Sequence, residues 1–347
     1  MTRNTSNTRK RARDIGKSLS KAFGGVKVID SSKLKPAVLS SGVASVDVAT
    51  GIGGYPEGRF IILHGAEASG KSTLALHAVA ECQKAGGVVI YLDFEHKLDL
   101  GYAEALGVDV ESMVLAGPPY IEKGFELLVA AAEKIRQDDT ETPILFVWDS
   151  LQAAISRRSF DGDYDKEQFS PEAGAYARGF AKFIPKLSEV GAILIGISQV
   201  RMDLGGFMAK EKVAVGKAPL FYASIIMRIK AKRARGATKG AGEREAIEVQ
   251  MIKNQVGTPY QIAKFDIIYG LGVDKVVATV EAADALGLLK KGKSGWFEFE
   301  LDGKTHKAQG SAGLAKIAAE SPQVFDGLLS LIRDNTGSVT GDGEVIG

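Results

Sequence analysis

Residues Gly65-Ala66-Glu67-Ala68-Ser69-Gly70-Lys71-Ser72 match the pattern G-x-x-x-x-G-K-[ST]. Between a strand and a helix this pattern holds the phosphates of a nucleoside triphosphate. The glycines let the main chain curl so that its N–H groups face phosphate oxygens, and the helix that follows points its positive end at them. Lys71 supplies a point charge to the β/γ-phosphates. The Ser72 hydroxyl is a ligand for Mg²⁺, and Thr73 completes the nucleotide-binding run. The competing reading is a glycine-rich turn that matches by chance. The flanks argue against it: Arg59 to His64 reads as a buried strand, and Ser72 to Gln83 as a helix ended by Gly86-Gly87.

Other chemistry-bearing residues end apolar runs. Asp149 follows Ile144-Leu145-Phe146-Val147-Trp148 and is placed to orient Mg²⁺ or its water. Its alternative is a helix N-cap. Val88-Val89-Ile90-Tyr91-Leu92 ends at Asp93, with Glu95 just beyond. Either carboxylate suits the base that relieves an attacking water of its proton, and spacing does not separate them. Ala192 to Ile197 ends at Ser198-Gln199, where the Gln199 amide can sense the γ-phosphate.

These residues need a frame. Short apolar strands alternating with helices (Tyr120 to Arg136, and Gly174 to Glu189 with Pro185 inside it) predict a parallel sheet covered on both faces. In such sheets ligands bind at the carboxyl ends of strands, so Asp93, Asp149 and Gln199 converge on the phosphate loop. Beyond about residue 222, Ile225 to Lys232, Glu245 to Lys253 and Lys264 to Tyr269 read as antiparallel strands, and 271–335 as a small α+β module. Residues 26–57 read as short strands and turns. Residues 1 to about 12 read as a disordered basic tail, followed by a short helix with Ile15, Leu19, Ala22 and Phe23 on one face.

Composition excludes several classes. The 347 residues, 45% hydrophobic and 25% charged, suit a soluble globular protein of two or three domains. No apolar run is long enough to span a membrane and no secretory signal is present, so a cytoplasmic protein is expected. A lone cysteine, Cys82, rules out an internal disulfide framework, and the four scattered histidines lack zinc-ligand spacing. The net charge of +2 hides two basic clusters, one before residue 22 and one from Arg228 to Lys239. Each could touch phosphates or be a solvated surface. The segments 156–173 and 203–219 lie on the ligand side of the sheet. They mix basic residues (Arg157, Arg158, Lys166, Arg178, Arg201, Lys210, Lys212, Lys217) with apolar ones (Met202, Leu204, Phe207), a mixture suited to single-stranded nucleic acid.

Taken together, these residues resemble the bacterial RecA-type DNA strand-exchange recombinases, from about residue 12 to 335. The resemblance is carried by the phosphate loop, by Leu39 to Asp47 with Gly53 to Arg59, by Asp93-Phe94-Glu95-His96-Lys97-Leu98-Asp99 with Tyr102, by Ser198 to Met202, by Phe221 to Ser224 and by Tyr269 to Gly272. It implies a P-loop ATPase core of α/β class with a mixed, mostly parallel sheet. An N-terminal polymerisation helix (1–35 with the basic tail), a core over 36–270, a small α+β C-terminal domain over 271–335 and a disordered tail over 336–347 complete that organisation. The implied activity is ATP-dependent filament formation on single-stranded DNA, with pairing and exchange of a homologous duplex. ATP and Mg²⁺ are the implied cofactors, and DNA and further copies of the chain the implied partners.

The resemblance also implies residue roles. Glu95 activates water, Asp99 and Tyr102 lie by the adenine, and Gln199 couples the γ-phosphate to two DNA loops near 157–172 and 201–217. Arg178 and Arg201 hold the DNA backbone, Met202 and Leu204 approach the bases, Gly216-Lys217 closes the second loop, and Lys253 reaches the neighbouring subunit's ATP. The chain departs from the family pattern at Gln255, where a second lysine is usual, at Ser198 in place of asparagine, and at Lys217, where asparagine usually follows the glycine. The tail keeps only Asp342 and Glu344 of the usual acidic run. These features mark a divergent member, and a phage source is one reading of them. A hexameric helicase-like motor and a non-catalytic DNA-coating filament modulator are the alternatives.

Overall fold

The computed structural model describes residues 5–23, 37–163, 171–203, 210–213, 216–233 and 243–336. The chain divides into two compact units, Met1–Ala37 and Val38–Gly347. The first holds helix α1 (Thr5–Ala22), with Lys10, Arg11, Arg13, Lys17 and Lys21 exposed beside an exposed stripe of Ile15, Leu19 and Phe23. The helix therefore starts well before residue 12, where a disordered tail was expected. Polar composition argues against a core, not against a helix: Thr5 to Arg13 contains no glycine or proline, and its arginines, lysine and alanine are good helix formers.

The second unit begins with β1 (Val38–Leu39), α2 (Ala44–Thr50) and β2 (Tyr55–Pro56), β1 pairing antiparallel with β2. Strands and turns were expected here, and α2 is the correction. Its sequence, Ala-Ser-Val-Asp-Val-Ala-Thr, carries three β-branched residues of seven and no helical stripe long enough to read. Burial of Val46 and Ala49 against the core decides the helix.

Strands and helices then alternate: β3 (Phe60–Gly65), α3 (Lys71–Lys84), β4 (Val88–Asp93), α4 (Leu100–Ala105), β5 (Met113–Ala116), α5 (Ile121–Asp138), β6 (Ile144–Asp149), α6 (Arg157–Phe160), α7 (Pro171–Val190) and β7 (Ile193–Asp203). The chain continues through β8 (Lys210–Val213), α8 (Lys217–Tyr222), β9 (Ile225–Arg233), β10 (Arg244–Asn254), β11 (Ile262–Ile268) and β12 (Gly272–Val273). The main sheet runs β12-β11-β10-β9-β3-β7-β6-β4-β5, with β8 paired to the outer end of β7. From β9 through β5 the neighbours are parallel, and β9, β10, β11 and β12 pair antiparallel. The sheet is therefore mixed and mostly parallel, as expected, and α7 runs as one helix through Pro185.

The side-chain period of two fixes both faces of this sheet. On β3, Ile61 and Leu63 enter a core shared with α3, while Phe60 and Ile62 enter a second core shared with α5 and α7. The second core holds Trp148 at the end of β6, fully buried, stacked on Phe94 at 4.9 Å and tilted against Phe125 at 4.9 Å. This packing fixes the ends of β4 and β6 beside each other. Truncating Trp148 to alanine would cost about 3–5 kcal/mol.

After β12 come α9 (Lys275–Ala285), β13 (Lys290–Lys291), β14 (Trp296–Leu301), β15 (Lys304–Gln309), α10 (Gly310–Glu320) and α11 (Pro322–Asn335). They enclose a third core around Leu286, Phe299, Leu314 and Leu328, against which Val48 of α2 packs. Residues 337–347, the rest of the expected tail, lie outside the described residues. No helix among the described residues is long and apolar enough to cross a membrane.

Candidate active site

The phosphate loop joins β3 to α3. Gly70 caps α3 at φ +90°, a left-handed conformation that glycine adopts without strain. A Cβ at Gly65 would stand 2.3 Å from the Ile229 carbonyl oxygen of β9, so only glycine lets the strand pass there. Lys71 is buried to 7% exposure and donates to the Ala66 carbonyl at 2.5 Å. Burial lowers its pKa, while the carboxylates of Asp149, Glu95 and Glu67 draw it back up. The Ser69 hydroxyl is buried without a hydrogen-bond partner. A buried unpaired hydroxyl beside a buried lysine fits a loop built to meet phosphate oxygens.

One cleft collects the sequence-predicted residues. Glu67 and Ala68 line it from the loop, Lys71 and Ser72 from the first turn of α3, Asp93 from the end of β4, Glu95 and Asp99 from the β4–α4 connection, Tyr102 from α4, Asp149 from β6 and Gln199 from β7. Asp149 Oδ2 accepts from Ser72 Oγ at 3.2 Å and from Tyr91 OH at 2.6 Å. Burial raises the Asp149 pKa, the Tyr91 bond lowers it, and the nearby charges of Glu95 and Asp93 add to the rise. A carboxylate and a hydroxyl brought together this way are hard oxygen donors suited to Mg²⁺.

Geometry separates the two carboxylates that spacing left level. Asp93 is buried, and its oxygens accept from the backbone N–H groups of Glu95 at 3.1 Å and Leu98 at 3.0 Å. It shapes the turn. Glu95, on the same cleft, is half-buried with no backbone amide of the described residues on its carboxylate, and Ser150 Oγ donates to its Oε1 at 2.5 Å. Asp99 accepts from the Tyr102 N–H at 3.0 Å and so caps α4. Tyr102 OH meets Thr73 Oγ1 at 3.1 Å, joining the far wall of the cleft to the first turn of α3.

Tyr91 and Ser150 escaped the sequence reading. Tyr91 reads as one more strand residue, and its signal is a hydroxyl inside an otherwise apolar run. Ser150 follows Asp149 directly and carries no motif of its own.

The remaining predicted residues lie elsewhere. Lys253 sits outside the cleft of its own chain, where its Nζ donates to the carbonyls of Leu220 at 3.2 Å and Phe221 at 3.1 Å. Burial lowers its pKa. Arg178 is exposed on α7. Gly216 precedes α8 and lies against Ala173 at the start of α7, with Lys217 exposed in the first turn of α8. Arg201 and Met202 fall on the outer end of β7, and Leu204 lies outside the described residues, as do 164–170 of the first loop. In the second basic cluster, Arg228 donates to Gln250 Oε1 at 2.7 Å and Lys232 pairs with Glu248, so both are engaged on the sheet.

A family model for the RecA N-terminal domain matches residues 11–274. A RecA protein of Campylobacter hominis is 34% identical over 340 residues, covering 96% of this chain and 94% of its own. RecA proteins of Streptococcus pyogenes (34% identical, 94% of this chain and 85% of that one) and Streptococcus mutans (33%, 99% and 89%) agree. The chain belongs to the RecA family. It is accordingly an ATP-dependent recombinase and a DNA-dependent ATPase, and neither the hexameric motor nor the non-catalytic modulator finds support. RecA membership implies nucleotide binding, DNA binding and filament formation.

Proposed function

We propose that the cleft binds and hydrolyses ATP with Mg²⁺ to drive homologous pairing and strand exchange on a filament that encloses single-stranded DNA. The observation that carries the reading is the convergence of Lys71, Ser72, Glu95, Asp149 and Gln199 on one cleft. Mg²⁺, where Ser72 and Asp149 would hold it, supplies positive charge against the phosphates. The loop amides and Lys71 stabilise the charge that develops on the transferred phosphoryl group. Glu95, oriented by Ser150, takes a proton from the attacking water. Asp99 and Tyr102 bound the nucleotide on the base side.

Gln199 links this chemistry to DNA. It ends inside the cleft while its strand runs on toward Arg201 and Met202. A side chain that contacts the γ-phosphate there would bias the order of both DNA-facing loops, and hydrolysis would release it. Arg178, Arg201 and Lys217 hold the DNA backbone, Met202 and Leu204 lie near the bases, and Gly216 lets the second loop turn into α8. Lys253 is offered to the nucleotide of a neighbouring subunit. Gln255, exposed beside it, removes one of two positive charges usual at that junction.

The test is joint-molecule formation between single-stranded DNA and a homologous linear duplex. Products are expected with ATP and Mg²⁺, and none without nucleotide or with a heterologous duplex. ATP hydrolysis without any homologous pairing would overturn the reading.

A further inference from the structure

The four residues that follow the β6 core face four different partners. Asp149 lines the nucleotide cleft, and the Ser150 hydroxyl holds Glu95. The Leu151 N–H donates to Ile197 O of β7 at 2.8 Å, and its carbonyl accepts from Tyr176 OH of α7 at 2.6 Å. Gln152 Nε2 donates to Ser198 Oγ at 2.6 Å and to the Gln199 carbonyl at 3.1 Å. A carbonyl oxygen only accepts, so its neighbour in the Gln152 amide is the nitrogen, and the orientation of that amide follows.

This contact joins the stems of both DNA-facing segments. Gln152 lies on the stretch that leads into α6 and the first segment, and Gln199 on the strand that leads into the second. Ser198 is fully buried, so its hydroxyl requires partners. It accepts from Gln152 and donates to the Gln199 carbonyl at 3.2 Å. Two donors thus converge on the Gln199 carbonyl, which fixes the peptide from which the exposed Gln199 side chain swings. Gln152 Oε1 is buried without a partner, so the contribution of this side chain lies in its donors. Ser198 is also where the chain departs from the family pattern of asparagine. An amide absent from position 198 is here supplied from position 152.

We infer that Gln152 is a positioning residue that couples ATP turnover to DNA by fixing the backbone of Gln199 against the stem of the first loop. The inference rests on the proposed role of Gln199. Gln152 touches neither nucleotide nor DNA in this scheme. Its loss frees the Gln199 peptide while the Leu151–Ile197 backbone bond keeps the two strands together.

The experiment compares Gln152→Met, close in shape but lacking donors, with Ser198→Ala, the double variant and Gln199→Ala. ATP turnover is measured with and without saturating single-stranded DNA, beside thermal melting. In Gln152→Met the stimulation by DNA is expected to fall about fivefold, the effect of one lost bond. The KM for ATP should hold, and the double variant should be no worse than Gln152→Met alone, as for two groups acting through one contact. A stimulation ratio equal to that of the unmodified chain would overturn the inference, whether or not the melting temperature drops. If Gln199→Ala loses stimulation while Gln152→Met and Ser198→Ala keep it, the inference alone fails. If Gln199→Ala keeps full stimulation, the role of Gln199 fails and this route with it.

Discussion

The nucleotide cleft and the surface proposed to face DNA are built on opposite plans. In the cleft almost every side chain is fixed by another of the same chain: Ser72 and Tyr91 on Asp149, Ser150 on Glu95, Thr73 on Tyr102, two backbone amides on Asp93. On the proposed DNA side Arg178 and Lys217 stand exposed on neighbouring helices. The difference suits what each region is proposed to bind. Phosphoryl transfer needs charges held still before the substrate arrives, because reorganising them would raise the barrier. A polynucleotide backbone offers a repeating charge that flexible cations meet through counterion release. Lys253 stands between the plans, held by two carbonyls of its own chain yet away from its own cleft.

The comparison can be broken first at the cleft. Glu95→Gln should lower ATP turnover by about 10²–10⁴-fold, the usual worth of a general base. Nucleotide binding, read by a fluorescent ATP analogue, should persist. Loss of binding in step with turnover would mean that Glu95 holds the cleft together rather than acting on water. Lys71→Ala should reduce turnover by about 10²–10³-fold and weaken nucleotide binding as well, since its charge serves ground and transition states alike. Normal turnover would remove the phosphate loop from the account.

Smaller effects belong to the exposed surface. Arg178→Ala and Lys217→Ala should each weaken single-stranded DNA binding evenly across sequences. Each should also flatten the dependence of log affinity on log salt by about 0.7, the share of one phosphate contact on a single strand. Binding titrations at several salt concentrations read both. A change confined to particular sequences would move these side chains from the backbone to the bases.

A last effect is on stability, unseen at neutral pH, and again falls on the nucleotide side. His64, at the end of β3, and His77, on α3, are both buried, and desolvation pushes each imidazole down to about 4. Each is neutral in the folded chain and takes up a proton near the ordinary value of 6.5 when unfolded. Their contribution is therefore present above about pH 6.5 and is lost as pH falls through 4. His77 Nε2 accepts from the Val273 N–H at 3.1 Å, a bond that protonation would break. Melting temperature should fall over this window, and His77→Asn should make the fall shallower. An unchanged slope would place the acid sensitivity elsewhere.

What was legible in the sequence was what local pattern encodes. The β3–loop–α3 unit, the strands that carry Asp93, Asp149 and Gln199, and the change to antiparallel strands after residue 222 all follow from periodicity and from the residues that interrupt it, although β7 runs on to Asp203 where an end at Gln199 was expected. Helix α2 was not legible, because seven residues with three β-branched side chains among them are too short for a helical period to show, and burial of Val46 and Ala49 decides the outcome. Nor was the difference between Asp93 and Glu95, which appears only when the turn brings two backbone amides onto the Asp93 carboxylate. Tyr91, Ser150 and Gln152 carry no motif. Their importance comes from partners 46 to 58 residues away, and no local window contains such pairs.

The most direct test of the account is steady-state ATP hydrolysis by the unmodified chain and by Glu95→Gln, each with and without single-stranded DNA at two salt concentrations. The account predicts turnover that DNA stimulates in the unmodified chain, stimulation that declines with salt, and background turnover in Glu95→Gln under every condition. Equal turnover in the two proteins, or turnover in the unmodified chain that DNA leaves unchanged, would contradict it.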